Sequence, residues 1–257
     1  MVMHQPRAGG ARRGTGAREM SSDRRSAIWV GVLWIAATVF PAASYAPWSA
    51  LDDGDGVLAN AATHKSQLIT WTLLNLVEVV AVAGVAFMLY PILIRVADTS
   101  VKQGLALWYV GTRVTESGIY AVAVLATWAF LPLSRDFAAA GAPDASHFQT
   151  TSEILQTTQD LGLALAQSVF AIGAAMLYYL LFQGRLVPRW LSLWGLLAAP
   201  LFLVASLSLL WTGDPNSGLA NILFAPLALQ EMVLAVWLIA KGFDAAALAP
   251  GSATAEE

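Results

Sequence analysis

Four ionisable side chains stand inside apolar stretches of the chain. Arg113 and Glu116 lie three residues apart within the apolar stretch 104–131. Glu78 and Glu231 lie near the centres of two other apolar stretches. Ionisable residues in such surroundings are costly to insert, and they commonly mark proton relays, ion paths or ligand sites. These residue types therefore point to proton, cation or ligand binding before any reaction can be named.

Helical spacing brings further polar side chains to the same region. Around Arg113 the polar residues recur at i, i+4, i+7 and i+11, which is one face of a helix: Tyr109, Arg113, Glu116 and Tyr120. Asn75 shares a face with Glu78 in the same way. At 1.5 Å per residue, the four ionisable groups lie roughly 13–20 Å from the predicted helix ends. We therefore predict one polar cluster at a common depth.

Arg113 can neutralise only one of the three carboxylates. It could form a bidentate pair with Glu116 on its own helix, or with Glu78 or Glu231 across a bundle. Two carboxyls then lack a basic partner, and such groups tend to keep a proton when buried, unless water or a cation reaches them. The cluster is thus either a proton, cation or ligand site, or a polar staple that fixes the register of the helices.

Asp160 is predicted to be a rim or cap residue of this site. It stands at the start of the apolar stretch 159–183, as a helix N-cap or about one turn inside, facing the cluster. The preceding segment, 152–160, has the pattern of an amphipathic lead-in to that stretch. The helix is therefore expected to begin outside the apolar region.

The composition shows which elements must position these groups. Among 257 residues 57% are apolar and 12% charged, and the mean hydropathy is +0.61, which excludes an ordinary soluble domain. A membrane-spanning helix needs about 20 apolar residues. Six stretches qualify: 27–48, 68–97, 104–131, 159–183, 189–212 and 218–241. The predicted fold is all-α, a polytopic membrane protein with six transmembrane helices in one bundle.

Basic residues collect on one side of these stretches. Eleven lie before the first stretch, after the sixth, or in the connections between the second and third and between the fourth and fifth: Arg7, Arg12, Arg13, Arg18, Arg24, Arg25, Arg95, Lys102, Arg185, Arg189 and Lys241. The opposite loops hold only Lys65 and Arg135. By the positive-inside rule both termini are cytoplasmic. Pro47 follows Ser44-Tyr45-Ala46, so the first stretch is expected to stay as an uncleaved helix.

The remaining composition limits partners and cofactors. An Arg-rich head, 1–26, and a tail, 244–257, are predicted to be disordered around a transmembrane domain, 27–243. The positive-inside rule already explains the basic head, so we expect no nucleic-acid partner. The chain has no cysteine, and His4, His64 and His147 lie at or outside the ends of the stretches. Neither a metal site nor a cofactor is expected.

No hydrolase, protease or nucleotide-binding motif is present, so an enzyme is disfavoured. The first functional hypothesis is a small proton-linked transporter or ligand-binding membrane protein, with Glu78 or Glu231 as the carrier. The rival is a structural or regulatory membrane protein whose cluster is a dry staple, and an enzyme acting on lipid comes third. Beyond the lipid bilayer, the expected partner is a proton or a small molecule. The oligomeric state stays open.

Three segments resemble a family of bacterial membrane proteins, domain-of-unknown-function family 4386. They are residues 112–117, residues 176–191, and Pro226 with residues 231–243. The resemblance covers about residues 27–243 and implies a six-helix integral membrane protein without a catalytic assignment to transfer. The expected location is therefore a bacterial plasma membrane. The Arg-rich head looks like an extension of the family's core. The fourth stretch also lacks a histidine expected in some relatives, which weakens a haem or metal site further.

Overall fold

A computed structural model of the protein describes residues 11–140, 145–213 and 217–249, with side chains from residue 22 onward. All regular structure in these ranges is helical, in eight helices: α1 (Ala11–Leu51), α2 (Gly56–Asn60), α3 (Lys65–Val96), α4 (Ser100–Trp128), α5 (Phe130–Ala140), α6 (Ala145–Gln183), α7 (Arg189–Thr212) and α8 (Gly218–Ala240). Six segments are long and apolar enough to cross a membrane, with α4 and α5 forming one of them. The predicted all-α, six-span fold is confirmed.

The six long helices form a closed ring in chain order. α1 packs on α3, α3 on α4, α4 on α6, α6 on α7, α7 on α8, and α8 returns to α1. Buried residues recur every three or four positions along α3 and α4, which gives each helix one inward face. The ring therefore directs one stripe of side chains from each helix towards a shared interior.

Glycines allow the helices to approach closely at several crossings. A Cβ atom on Gly31 of α1 would lie 2.6 Å from the Ala235 carbonyl oxygen of α8. On α6, a Cβ atom on Gly173 would meet the Thr112 hydroxyl of α4. Small residues commonly hold membrane helices together in this way. The apolar window of α6 is also the most enclosed of the six, with half of its residues buried, as its Gly- and Ala-rich sequence suggests.

Prolines divide or interrupt the hydrogen bonding of several helices. Pro132, in the first turn of α5, has no N–H to donate back to the end of α4, and the helix is interrupted at Ala129 before α5 begins at Phe130. Helices α7 and α8 run through Pro200 and Pro226 without a break in helical structure. Each of these prolines removes one backbone N–H from its helix, which predicts a kink at that position.

Side chains fasten the helix ends together at one end of the bundle. Arg24 donates to the Leu238 and Ile239 carbonyls at the end of α8, at 2.9 and 2.6 Å. Arg95 donates to Asp23 at 2.7 Å and to the Leu248 carbonyl at 2.9 Å. This end, called the basic face, also carries Lys102, Arg185, Arg189 and Lys241. The chain therefore enters the first span and leaves the sixth at the same face.

The predicted domain limits stay predictions. Helix α1 begins at Ala11, inside the segment 1–26 that the composition predicts to be disordered. Within that segment Asp23 and Arg24 contact the bundle, and beyond residue 243 Leu248 is buried. Residues 1–10 and 250–257 lie outside the described part of the chain.

Short helices cover the opposite end of the bundle. Helices α2 and α5 meet in a small apolar core of Leu51, Val57, Ala61, Leu68, Phe130 and Leu131. The Ala62 amide donates to the Ser134 hydroxyl at 2.9 Å, which ties the α2–α3 connection to α5. Helix α6 begins at Ala145, well before its apolar stretch, as the amphipathic lead-in indicates. The interior is therefore closed by protein on this side.

Candidate functional site

The predicted site residues face the interior from three helices. Asn75 and Glu78 lie on the buried face of α3, Tyr109, Arg113, Glu116 and Tyr120 along α4, and Glu231 on α8. All are buried except Tyr120, which is half-buried. Their positions follow from the packing of α4, whose inward residues repeat at three- and four-residue steps and include Ala106, Ala123 and Thr127. The polar residues thus replace apolar ones in the middle of a core stripe.

Arg113 pairs with the carboxylate on its own helix. Its Nη1 lies 2.9 Å from Oε2 of Glu116, and the two side chains are only 5% and 4% exposed. On the other side, the Arg113 guanidinium lies over the ring of Phe170 on α6, 4.9 Å from the ring centroid. The Arg113 Nε is buried and has no hydrogen-bond partner within the described residues. Of the pairings open to Arg113, the structure shows the one within α4.

A tryptophan from the first helix holds Glu231. Trp34 Nε1 of α1 donates to Glu231 Oε1 of α8 at 2.8 Å, and both side chains are buried. Hydrogen bonds to charged groups are shorter and stronger than neutral ones. This bond joins the first and last spanning helices where the ring closes. It also leaves Glu231 less dependent on Arg113 for a partner.

Glu78 differs from the other two carboxyls. Among the described residues it forms neither a hydrogen bond nor an ion pair, although it is only 8% exposed and interacts electrostatically with Arg113 and Glu116. The nearby Asn75 amide donates to the Trp71 carbonyl of its own helix at 2.8 Å. One residue further along α3, the Val79 carbonyl accepts from Ser117 of α4 at 2.6 Å. The backbone around Glu78 is therefore fixed while its carboxyl is not.

Three tyrosines and one glutamine complete the cluster. Tyr109 and Tyr120 lie close enough to Arg113 to interact with it electrostatically. Tyr178 of α6 lies near Glu231, and its buried hydroxyl lies beside the Gln230 side chain. Gln230 of α8 donates to the Leu191 carbonyl of α7 at 3.1 Å. Every spanning helix thus contributes a polar or aromatic contact near the cluster.

Sequence reasoning missed Trp34, Phe170, Tyr178 and Gln230 as parts of the cluster. Trp34 could have been noticed, because it lies inside the first span whereas most tryptophans lie near the span ends. Gln230 directly precedes Glu231 in an apolar helix and gave a similar signal. Phe170 gave no such signal, because the position of an aromatic residue on an apolar helix does not distinguish a cation–π partner from an ordinary core residue.

Asp160 lies apart from the cluster. Because α6 begins at Ala145, Asp160 is within the helix and does not occupy an N-cap position. Its side chain is exposed and lines a cavity of about 90 Å³ between α6 and α7, with Thr157, Leu161, Ala164, Leu209 and Gly213. The prediction that it forms the rim of a functional site remains untested.

Fold and cluster together define a class, a multi-pass helical membrane protein with three carboxyls and one guanidinium buried in its interior. The chain belongs to the family described as Domain of unknown function (DUF4386), whose sequence model matches residues 30–242. No curated protein and no solved structure is significantly similar to it. The predicted family resemblance is confirmed, and it brings no activity with it.

Proposed function

We propose that this protein is a small proton-linked transporter or ligand-binding membrane protein in which Glu78 takes up and releases a proton or a cation. The observation that supports this proposal is the difference between the three carboxyls. Glu116 has Arg113 and Glu231 has Trp34, whereas Glu78 has neither a hydrogen bond nor an ion pair among the described residues. A buried carboxylate is costly unless it is paired, protonated or bound to a cation.

The other members of the cluster have supporting roles in this proposal. The Arg113–Glu116 pair supplies a fixed dipole on α4, and its guanidinium interacts favourably with Glu78 when that carboxyl is ionised. Tyr109 and Tyr120 offer hydroxyl groups beside the pair for a proton or a polar ligand. Ser117 of α4 bonds to the Val79 carbonyl next to Glu78, and the Asn75 amide bonds within α3.

Chemical modification tests the proton on Glu78 without knowledge of a substrate. A hydrophobic carbodiimide adds the O–H of a protonated carboxyl across its C=N bond, and the adduct rearranges to a stable acylurea. We expect peptide mass spectrometry to find this adduct at Glu78 in preference to Glu116, and to lose it in Glu78→Gln. The exposed Glu153 serves as a control for nonspecific reaction. Equal labelling of Glu116 and Glu78 would contradict the assignment of the carrier.

Transport is tested in proteoliposomes that contain a pH-sensitive dye. A potassium diffusion potential should drive protein-dependent proton entry, and Glu78→Gln should reduce it to the level of protein-free liposomes. The matched variant Glu153→Gln should behave like the wild-type protein. Adduct formation without proton entry would favour a ligand-binding protein over a proton-linked transporter.

The proposed location and orientation of the protein follow from its charge distribution. We place the protein in the bacterial plasma membrane with both termini in the cytoplasm, because the basic face carries Arg24, Arg95, Lys102, Arg189 and Lys241. The covering helices α2 and α5 then lie outside the cell.

A second candidate is a structural or regulatory membrane protein whose cluster is a dry staple. The observation that favours it is the Trp34–Glu231 hydrogen bond, which joins α1 to α8 where the ring closes. Interhelical hydrogen bonds of this kind contribute to membrane-protein stability. This candidate predicts neither a carbodiimide adduct at Glu78 nor proton entry.

A further inference from the structure

A second cavity lies at the basic face, remote from the buried cluster. It has a volume of about 350 Å³, is partly open, and is lined by the α6–α7 turn, the end of α8 and the segment that follows α8. This volume falls within the range of small-molecule sites. Its lining combines three basic residues, Arg185, Arg189 and Lys241, with one acidic residue, Asp244. The formal charge of the lining is therefore 3 − 1 = +2.

The backbone adds to this positive character. Helix α7 begins at Arg189, and its N-cap is Pro188, which offers no side-chain acceptor to the first-turn N–H groups. Such helix ends attract anions. The carbonyl end of α8 is satisfied from elsewhere, by Arg24 and by the amides of Lys241 and Gly242. The negative end of α8 therefore opposes an anion in the cavity only weakly.

The α6–α7 turn that forms the cavity wall is fixed in shape. Arg185 has a φ of +51°, in the left-handed region that residues other than glycine rarely adopt. The Leu186 amide bonds back to Leu181, and the Asp244 amide donates to the Leu186 carbonyl at 2.9 Å. A left-handed residue just after the last helical residue is a common way to end a helix, and the bond from the Leu186 amide to the Leu181 carbonyl closes this turn. A backbone hydrogen bond thus connects the segment after α8 to the α6–α7 turn, and the cavity lies between the segment and the turn.

The remaining lining is apolar and aromatic. Trp237 and Phe243 form part of the wall beside Leu186 and Val187. Basic and apolar residues thus line the same cavity, at the level where a spanning helix ends. This combination fits an amphiphile with a phosphate group and a hydrocarbon part. Basic pockets between spanning helices bind the head groups of anionic lipids in this manner.

We propose that this cavity binds a phosphate group, supplied by the head group of an anionic phospholipid. Arg189, Lys241 and the N-terminus of α7 bind the phosphate, and Trp237 packs against the glycerol and upper acyl region. The positive-inside rule accounts for basic residues at this face in general. It does not account for a cavity that three of these residues line together with apolar and aromatic side chains.

Native mass spectrometry of the full chain in a neutral detergent tests the proposal. The titrants are phosphatidylglycerol, phosphatidylcholine and inorganic phosphate, each added alone. We expect one phosphatidylglycerol to bind, and the double variant Arg189→Gln/Lys241→Gln to bind it about 30-fold more weakly, for two lost basic contacts. The double variant Arg25→Gln/Lys102→Gln removes two charges from the same face outside the cavity and should bind as the wild type does.

The outcomes separate the two sources of phosphate. Loss of phosphatidylglycerol binding in the cavity variant alone supports the lipid. Binding of inorganic phosphate that is lost in the same variant, without lipid binding, assigns the site to a soluble phosphate and overturns the lipid source. Equal binding by both double variants, or equal affinity for phosphatidylcholine, overturns the site itself. A melting curve of each variant, compared with the wild type, shows whether it has folded.

Discussion

Substituting the members of the cluster one at a time should separate a carrier from a staple. Arg113→Gln leaves the Glu116 carboxylate buried without its ion-pair partner. Removing one partner of a buried pair costs about 3–5 kcal/mol. For a domain of this size, about 2–4 °C of melting temperature correspond to 1 kcal/mol, so the expected loss is about 6–20 °C. Glu116→Gln should lose a similar amount, because it leaves the guanidinium unpaired.

Glu78→Gln should behave in the opposite way. No hydrogen bond or ion pair in the described structure is lost, and one buried carboxyl becomes a neutral amide of nearly the same shape. A charged residue at a helix centre costs about 2.5–3.5 kcal/mol to insert, which sets the upper limit of the gain. We therefore expect the melting temperature to stay at the wild-type value or to rise. Groups held at a cost to stability are commonly functional.

The assay is thermal unfolding of purified protein in one detergent at one pH, with Glu153→Gln as the control for a surface carboxyl. The double variant Arg113→Gln/Glu116→Gln should lose less than the sum of the singles, because the two residues interact directly. A loss of melting temperature for Glu78→Gln as large as that for Arg113→Gln would contradict this expectation. Glu78 would then be a partner in a mutual staple, and the carrier assignment would be withdrawn.

Two further predictions concern the ring and its orientation. Trp34→Phe removes the indole donor that joins α1 to α8 and should cost about 1–2 kcal/mol, or a few degrees of melting temperature, while Trp29→Phe on the exposed surface should change little. The chain has no cysteine, so single cysteines report topology: in intact cells an impermeant maleimide should label Ser66→Cys and spare Ser22→Cys, and the reverse pattern would contradict the proposed orientation.

The sequence predicted the helical parts of the site well because their signal is local. Tyr109, Arg113, Glu116 and Tyr120 share one face of α4 through helical geometry alone, and the Arg113–Glu116 pair spans a single turn. Apolar length likewise predicted all six spans. These features depend on residues a few positions apart, where spacing determines proximity.

Contacts across the ring could not be predicted in the same way. Trp34 and Glu231 are 197 positions apart, and their contact depends on α8 returning to α1. The position of Phe170 under Arg113 depends on how closely α6 crosses α4 at Gly173. Neither the closure nor the crossing has a periodic signal in the chain. The choice among the three carboxyls therefore required the structure.

The three carboxyls also bear on the two candidate functions. A staple is already provided by the Trp34–Glu231 bond between α1 and α8, the Arg113–Glu116 pair within α4 and the Ser117 bond to α3. Glu78 adds no hydrogen bond to this set among the described residues, and its electrostatic interaction with Arg113 offsets only part of the cost of burying its carboxyl. Packing alone would be served as well by an apolar residue at that position. The staple thus explains the paired carboxyls and leaves Glu78 unexplained, which is why the carrier assignment rests on that residue.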